Sequence, residues 1–206
     1  MAKIKLTKGE LKKQRDSLKQ FKRYLPTLQL KKQQLQMKIL EARKRFDECQ
    51  KAFFEKEALI KKWCGLFGEA QDLDFRKWVS PKEIVTGTNN IAGAKVPVFK
   101  DIFFEEAVYD FYITPFWVDR AIEELKELIK FLAQGQVIKA EIRILERELR
   151  VTTQRVNLFE KVKIPECQEN IRLIRICLGD QQANAVGISK VAKGKIVKAA
   201  LEAVFV

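Results

Sequence analysis

The 206-residue sequence contains no histidine, so it lacks the side chain that enzymes use most often as a general base. It also lacks the glycine-rich and nucleophile motifs through which common enzyme families bind phosphates or present a catalytic serine. Its four cysteines form no CxxC pair, and their spacing matches no zinc finger or zinc ribbon. We therefore predict a protein that is not an enzyme and that holds no metal and no cofactor.

Long apolar runs and loop-forming residues are also scarce. No stretch approaches the roughly 18 apolar residues of a membrane-spanning helix, and the start, MAKIKLTKGELKK, lacks the apolar core of a signal peptide. There are only nine glycines and five prolines, whereas 33% of the residues are charged. This composition favours long helices over a loop-rich fold, and we expect no direct membrane insertion.

What the chain does have is a seven-residue repeat of large apolar residues. Spacings that alternate between three and four keep one stripe on a helix and produce the left-handed supercoil of a coiled coil. A helix from Lys8 to Leu66 would be roughly 90 Å long at 1.5 Å per residue, so another long helix must cover its stripe. The stripe of this first arm consists of Leu11, Leu18, Leu25, Leu28, Leu35, Ile39, Phe46, Phe53 and Ile60.

The second half of the chain carries a matching stripe. Two helical arms on either side of an insert fold back most simply as an antiparallel hairpin, and a parallel homodimer is the alternative. We predict an all-α fold, a long antiparallel two-helix coiled coil, that brings Leu18 near Ala185 and Ile60 near Leu125–Ile129. The stripe of the second arm consists of Ile138, Ile142, Leu145, Leu149, Val156, Phe159, Ile171, Ile174 and Leu178.

The insert divides the chain into an N-terminal arm at 1–66, a tip at 67–117 and a C-terminal arm at 118–206. The tip holds 11 of the 20 aromatic residues, and its eight acidic and five basic groups give it a net charge of −3 in a chain of +13. The strand patterns EIVTG at Glu83–Gly87 and AKVPVF at Ala94–Phe99 flank the turn-rich stretch TGTNNIAG. They predict a small β-hairpin within an otherwise irregular tip.

Prolines and glycines interrupt both arms. Pro26 lies within the first stripe, where a proline costs about 3 kcal/mol, so we expect a kink or a short break near Arg23–Thr27. Pro165 can begin a new helical segment because its missing N–H is not needed there. Each helical glycine costs about 1 kcal/mol relative to alanine, so Gly179, Gly187 and Gly194 place the helicity of the last 28 residues in doubt when the protein is alone.

Three stretches resemble the D subunit of the V-type and archaeal-type (V/A) rotary ATPases. The stretch RVNLFEKVKIPECQENIRLIRICL is similar to that family's second-helix signature. The stretch NIAGAKVPVF is similar to its central hairpin, and LTKGELKKQRDSLK with LQLKKQQL is similar to its leading arm. The residues that match the first two patterns are Arg155, Val156, Asn157, Glu160, Ile164 and Pro165, and Asn90, Gly93, Val96 and Pro97.

The resemblance implies the central rotor shaft of a rotary ATPase, a non-catalytic component that couples ATP hydrolysis or synthesis in the head to ion translocation in the membrane ring. It implies four kinds of partner, namely the catalytic and non-catalytic head subunits (the A and B subunits), a small F subunit on the side of the shaft, and a funnel-like subunit at the ring. It places the chain in the cytoplasm, peripheral on the cytoplasmic face of the membrane. Acidic loops of the head could then complement the basic residues Lys5, Lys8, Lys12, Lys190, Lys193 and Lys195.

Two other functions remain open. A nucleic-acid-binding coiled coil would explain the charge of +13, but the aromatic residues lie in the acidic tip instead of alternating with basic clusters. We therefore expect no nucleic-acid partner. A coiled-coil adaptor would share the apolar stripes, but it would not be expected to carry the hairpin and RVN…IP motifs in these places.

Overall fold

The computed structural model describes the backbone of residues 5–68, 75–106, 108–109, 112 and 114–204, with side chains as far as residue 198. Helix α1 is followed by a 3₁₀ turn at Cys64–Gly68 and the short helix α2. A two-stranded antiparallel sheet, β1–β2, leads to helix α3, and a π-helical turn at Phe159–Lys163 joins α3 to α4. The bounds are α1 Lys8–Lys61, α2 Phe75–Val79, β1 Pro81–Ile91, β2 Ala94–Phe104, α3 Trp117–Leu158 and α4 Ile164–Val204.

Helix α1 begins with a side-chain cap and continues through its proline. The Thr7 hydroxyl accepts a hydrogen bond from the backbone N–H of Glu10 at 3.3 Å, which satisfies one of the unpaired donors of the first turn. We expected a kink or a short break near Arg23–Thr27. No break is present there, because the structure is α-helical on both sides of Pro26 and across it. Leu25 and Leu28 are partly buried beside Pro26, and such packing can offset the single hydrogen bond that a proline removes.

The junction of α3 and α4 is a widened turn with a direct cause. Pro165 has no N–H to donate to the carbonyl four residues earlier. The preceding residue, Ile164, instead donates its N–H to the carbonyl of Phe159, five residues back, which is the π-helical pattern. The helix then continues to Val204 through Gly179, Gly187 and Gly194. The structure is therefore helical in the segment where these glycines made helicity doubtful.

Residues 30–152 form one compact unit in which α1 and α3 run antiparallel. Arg43 of α1 pairs with Glu146 of α3, whereas Lys56, further along α1, pairs with Glu124 near the start of α3. Residue numbers therefore rise along one helix as they fall along the other. The predicted fold class, an antiparallel helix pair with a small hairpin insert, is confirmed.

The hairpin contributes directly to the core of this unit. Leu35 and Ile39 of α1, Leu145 of α3, and Ala94 and Val96 of β2 form one buried cluster. The strand register pairs Ile91 with Ala94 across the tight turn and Pro81 with Phe104 at the far end, with bulges near Pro81 and Val85.

A second core lies where α3 begins. Val79, Val118 and Ile122 are buried there, beneath an aromatic cluster in which Phe67, Phe75 and Trp117 contact one another at centroid distances of 5.1–5.9 Å. The hydroxyl of Tyr109 donates to a carboxylate oxygen of Asp119 at 2.5 Å. This hydrogen bond, which loses its donor if the phenol ionises, raises the pKa of Tyr109 to about 12.

The other compact unit combines Met1–Gln29 with Thr153–Val206. The ring of Phe21 packs against that of Phe159 at a centroid distance of 5.1 Å, and the buried residues of α4 are Cys167, Ile171 and Ile174. In an antiparallel pair, Leu18 would therefore lie near residue 162 instead of Ala185. The expected approach of Leu18 to Ala185 is wrong, because Ala185 is exposed in a stretch of α4 that buries no residue.

Replacing Leu145 by alanine should lower the free energy of unfolding by about 2–5 kcal/mol, because its side chain is completely buried between two helices and a strand. Ile142 is only partly buried, so Ile142→Ala should lower the free energy of unfolding by less than Leu145→Ala does. The exposed Arg147 on the same helix provides the control, and Arg147→Ala should cost little. Urea unfolding followed by circular dichroism would measure all three, and equal losses at Leu145 and Arg147 would mean that the buried face has been assigned wrongly.

Candidate interaction surfaces

Each of the 18 predicted stripe residues is buried or partly buried, and none is exposed. Leu35 and Leu145 are the most deeply buried members in the unit 30–152, and Ile174 is the most deeply buried in the other unit. Eight members are buried, namely Leu35, Ile39, Ile60, Ile138, Leu145, Val156, Ile171 and Ile174. Ten are partly buried, namely Leu11, Leu18, Leu25, Leu28, Phe46, Phe53, Ile142, Leu149, Phe159 and Leu178.

Ion pairs connect α1 to α3 beside the apolar stripe. Arg43 contacts Glu146 at 2.7 Å on the surface. Further along, Lys56 contacts Glu127 at 2.6 Å and Glu124 at 3.1 Å. Hydrogen bonds to Glu127 and then Glu124 raise the pKa of Lys56 above its ordinary value. Because the folded-state pKa of Lys56 is the higher one, the stabilisation that this pKa shift represents is present at neutral pH and is lost as the pH rises through the raised pKa.

Glu141 is a charged residue that the apolar pattern did not reveal. It is only 3% exposed, and one of its carboxylate oxygens accepts a hydrogen bond from a guanidinium N–H of Arg45 at 2.9 Å. The Arg45 side chain is 50% exposed, so one partner of this pair is desolvated and the other is not. A buried carboxylate is tolerated where a cation compensates it, and Glu141 therefore favours the alignment in which Arg45 of α1 lies opposite.

The hairpin motif positions a tight turn over the helices. Gly93 has φ +84° and Ala92 has φ +50°, so the turn uses the left-handed region at both central residues, as a type I′ hairpin does. A side chain at Gly93 would be strained by that backbone, and a Cβ there would lie 3.7 Å from the Lys31 ammonium nitrogen. Val96 is completely buried and Pro97 partly buried, whereas Asn90 is exposed.

The RVN…IP motif divides into a buried and an exposed face. Val156 is buried and Ile164 partly buried. The exposed members are Arg155, Asn157, Glu160 and Pro165. Because nothing in the described chain buries these four positions, the motif combines one packing side with a polar outer side that remains available for contacts outside the chain.

The C-terminal part of α4 forms a basic and apolar surface. Every residue from Gly179 to Lys198 is exposed, and this stretch carries four lysines but only one acidic residue, Asp180. Its large apolar side chains are Val186, Ile188, Val191, Ile196 and Val197, which are 50–70% exposed. The predicted head-contact lysines Lys5, Lys8, Lys12, Lys190, Lys193 and Lys195 are all exposed.

The cysteines are free thiols. Cys49 and Cys167 are buried, Cys177 is partly buried and Cys64 is exposed. Burial raises the pKa of Cys49 and of Cys167, so both remain protonated at neutral pH. The Cys49 thiol contacts the Phe131 carbonyl at 3.4 Å. Within the described ranges, no three His, Cys, Asp or Glu side chains gather into a metal-binding cluster.

Among the described helices, none has the length and hydropathy needed to cross a bilayer.

Comparison with known proteins gives one consistent result. A family model described as the ATP synthase D subunit matches residues 10–194. A protein of Borreliella burgdorferi, named as the D subunit of a V-type ATP synthase, is 46% identical over 198 residues, which cover 96% of this chain and 97% of that protein. Proteins with the same name from Chlamydia pneumoniae and Chlamydia abortus are 36% and 35% identical over 194 residues, which cover 94% of this chain and 93% of each.

Removing Arg45 should destabilise the protein more than removing its neighbour Arg43. Arg45→Ala leaves the buried Glu141 carboxylate without a partner and should lower the free energy of unfolding by about 1–2 kcal/mol. The loss is smaller than for a fully buried ion pair because the Arg45 side chain is half exposed. Arg43→Ala breaks the exposed pair with Glu146 and should change stability by at most about 0.5 kcal/mol. Urea unfolding at neutral pH compares the two arginine-to-alanine changes directly, and losses of equal size would show that Glu141 does not depend on Arg45.

Proposed function

Because the chain belongs to the ATP synthase D subunit family, we propose that it is the central rotor component of a V/A-type rotary ATPase. In that role it couples ATP hydrolysis or synthesis in the head to ion translocation, of hydrogen ions or sodium ions, in the membrane ring. The chain itself is not catalytic, and ATP is turned over on other subunits. The observation that carries the proposal is an extended antiparallel helix pair with a buried apolar seam and a charged exterior, in a chain similar to D subunits along almost its whole length.

A closed helical seam is suited to transmitting torque. Sliding α1 past α3 would pull Leu35, Ile39 and Leu145 out of their shared core. It would also separate Glu141 from Arg45. The first change would expose apolar surface, and the second would leave a buried carboxylate without its cation. The helix pair therefore resists sliding along its axis. The charged outer surface can meanwhile turn within a collar without burying apolar groups.

The exposed part of α4 is the segment that we assign to the hollow of the head. Its lysines complement acidic loops, and opposite charges across an interface fix orientation more than they add affinity. Its apolar side chains would also become buried there. The partners we propose are the A and B subunits of the head around the terminal arms at 1–66 and 118–206, the F subunit on the side of the helix pair, and a funnel-like subunit around the tip at 67–117. The complex would hold the chain on the cytoplasmic face of the membrane.

Shortening the chain before Gly187 should reduce torque without preventing assembly. The predicted seam residues as far as Leu178 remain, but the exposed basic segment is lost. Single-molecule rotation against a viscous load, measured together with phosphate release in a motor assembled from subunits of the same species, would show slower rotation under load while ATP hydrolysis continues; rotation that no longer follows ATP hydrolysis would instead identify the segment as the main grip. The chain alone should hydrolyse no ATP.

A control variant that changes only the charge of this segment shows whether the segment acts through its lysines or through the space it fills. Replacing Lys190, Lys193 and Lys195 by glutamine keeps the length and helix propensity of the segment but removes three positive charges. If this variant produces the torque of the intact chain while the shortened one produces less, the segment acts through the space it fills and not through its charges. An intact, fully helical chain that binds no head subunit and rotates nothing would end the rotor proposal.

A further inference from the structure

Helix α1 is irregular around its proline, in the unit that holds the first turns of α1 and all of α4. Pro26 has no N–H, so the carbonyl of Lys22 receives no hydrogen bond from the residue four positions later. One residue on, the hydroxyl of Thr27 donates to the carbonyl of Tyr24 at 2.8 Å, a bond of the kind that often bends helices. The helix is continuous here, but its backbone is held less firmly than elsewhere.

The second helix is irregular beside this stretch. Pro165 cannot donate to the carbonyl of Lys161, and Ile164 donates to the carbonyl of Phe159, five residues back. The ring of Phe159 contacts that of Phe21 at a centroid distance of 5.1 Å. Phe21 is five residues from Pro26, or roughly 8 Å at 1.5 Å per residue. The π-helical turn therefore adjoins the stretch of α1 that contains the proline.

Burial of side chains is also sparse at this place. Among the described residues of α1, none before Leu35 is buried, and none from 157 to 166 is buried on the other helix. Leu158 is 44% exposed and Val162 is 49% exposed. Since the free energy of a helix contact follows the apolar area removed from water, these two stretches are held together less strongly than the seam of the unit 30–152.

Ion pairs do not compensate for the sparse packing. In the unit 30–152, three cations of α1 pair with glutamates of α3 and so connect one helix to the other. In the unit that contains Phe21, the ion pairs of the described residues are Lys163–Glu166 and Arg172–Glu169, each between positions three apart. Pairs at that spacing stabilise their own helix, but they do not hold it against another.

We propose that residues 21–27 and 159–166 form a torsional hinge, at which the helix pair twists and bends more readily than in the unit 30–152. Prolines and π-helical turns are the usual causes of helix bending, and here one of each lies side by side. Missing hydrogen bonds, sparse burial and the lack of ion pairs between the helices each lower the free energy of local opening. In a rotating shaft, such a hinge would take up part of the torque as twist.

A rigid kink is the alternative to a hinge. Side chains that fill the space between two helices at the density of a protein core would fix a kink in one geometry. The described residues at 21–27 and 157–166 are at most partly buried, so they do not enforce one geometry. The inference does not rest on the rotor proposal, because twisting is a property of the chain alone.

Local opening is measured by hydrogen–deuterium exchange of the full-length chain, read by mass spectrometry and corrected for intrinsic rates. We expect the amides of 159–164 to exchange about tenfold or more faster than those of 138–149. Pro165→Ala supplies the missing donor and should slow exchange in 159–164 about tenfold. The matched control is Gly179→Ala, which also raises helix propensity but lies outside the hinge, where an added Cβ has no neighbour within 4 Å; exchange in 159–164 should then stay within about twofold.

Twisting is measured separately by the distance distribution between two spin labels in a background without the native cysteines. Lys13→Cys and Gln154→Cys carry the labels, because both positions are exposed and they precede the hinge on different helices. On antiparallel helices, the labels then lie on opposite sides of it. We expect a broad distribution that narrows when Pro26→Ala and Pro165→Ala are combined, since both helices regain their donors.

Three results would overturn the hinge. The first is exchange in 159–164 as slow as in 138–149, and the second is a distance distribution of the same width with and without the two prolines. The third is a Gly179→Ala control that slows exchange in 159–164 as much as Pro165→Ala does, because general helix propensity would then explain the effect. Neither measurement involves another subunit, so the rotor proposal stands or falls independently.

Discussion

Burial of the α1 stripe against α3 is the constraint on which the rest of the unit 30–152 depends. A helix of 54 residues with an apolar stripe is not stable alone in water, because most helical stability in proteins comes from packing of the apolar face. The stripe must be covered along its length, and the return of the chain after the insert provides the cover. The antiparallel alignment then brings Arg45 to Glu141 and Lys56 to Glu124 and Glu127.

The same constraint explains which surfaces remain for partners. Where the hairpin packs across the helices, one flank is closed and the seam residues Leu35 and Leu145 are completely buried. Where only two helices are available, aromatic side chains such as Phe54 remain half exposed. In the other unit, the last part of α4 buries nothing within the described chain. A protein that works inside a larger assembly is expected to carry such incomplete surfaces, because its partners complete them.

Periodicity predicted the helices and the hairpin because both signals are local. A stripe at three- and four-residue spacing defines a helix face whatever lies opposite, and the turn chemistry around Gly93 defines a hairpin. The π-helical turn could also have been foreseen, since Pro165 removes a specific donor. Of the kink or short break predicted at Pro26, the break is absent, because intrinsic propensity alone does not include the packing around the proline.

Non-local features could not be obtained in this way. The pairing of Leu18 with Ala185 was wrong because counting from the chain ends assumes arms of equal length, whereas α4 extends beyond the start of α1. Glu141 carries no periodic signal, and its burial depends on the helix that happens to face it. The groove lined by Phe46, Phe54 and Leu132 remains open because the hairpin packs on the other side of α1 and α3, and nothing in the sequence of either helix specifies that side. The central claim, that α1 and α3 of one chain form an antiparallel pair, is tested most directly by cross-linking. Arg45→Cys and Glu141→Cys, introduced into a background without the native cysteines, should be joined by a short bismaleimide within single chains at every protein concentration. A Leu18→Cys, Ala185→Cys pair should not react in this way. Cross-links between the thiols introduced at positions 45 and 141 that form only between chains, and that increase with protein concentration, would contradict the account.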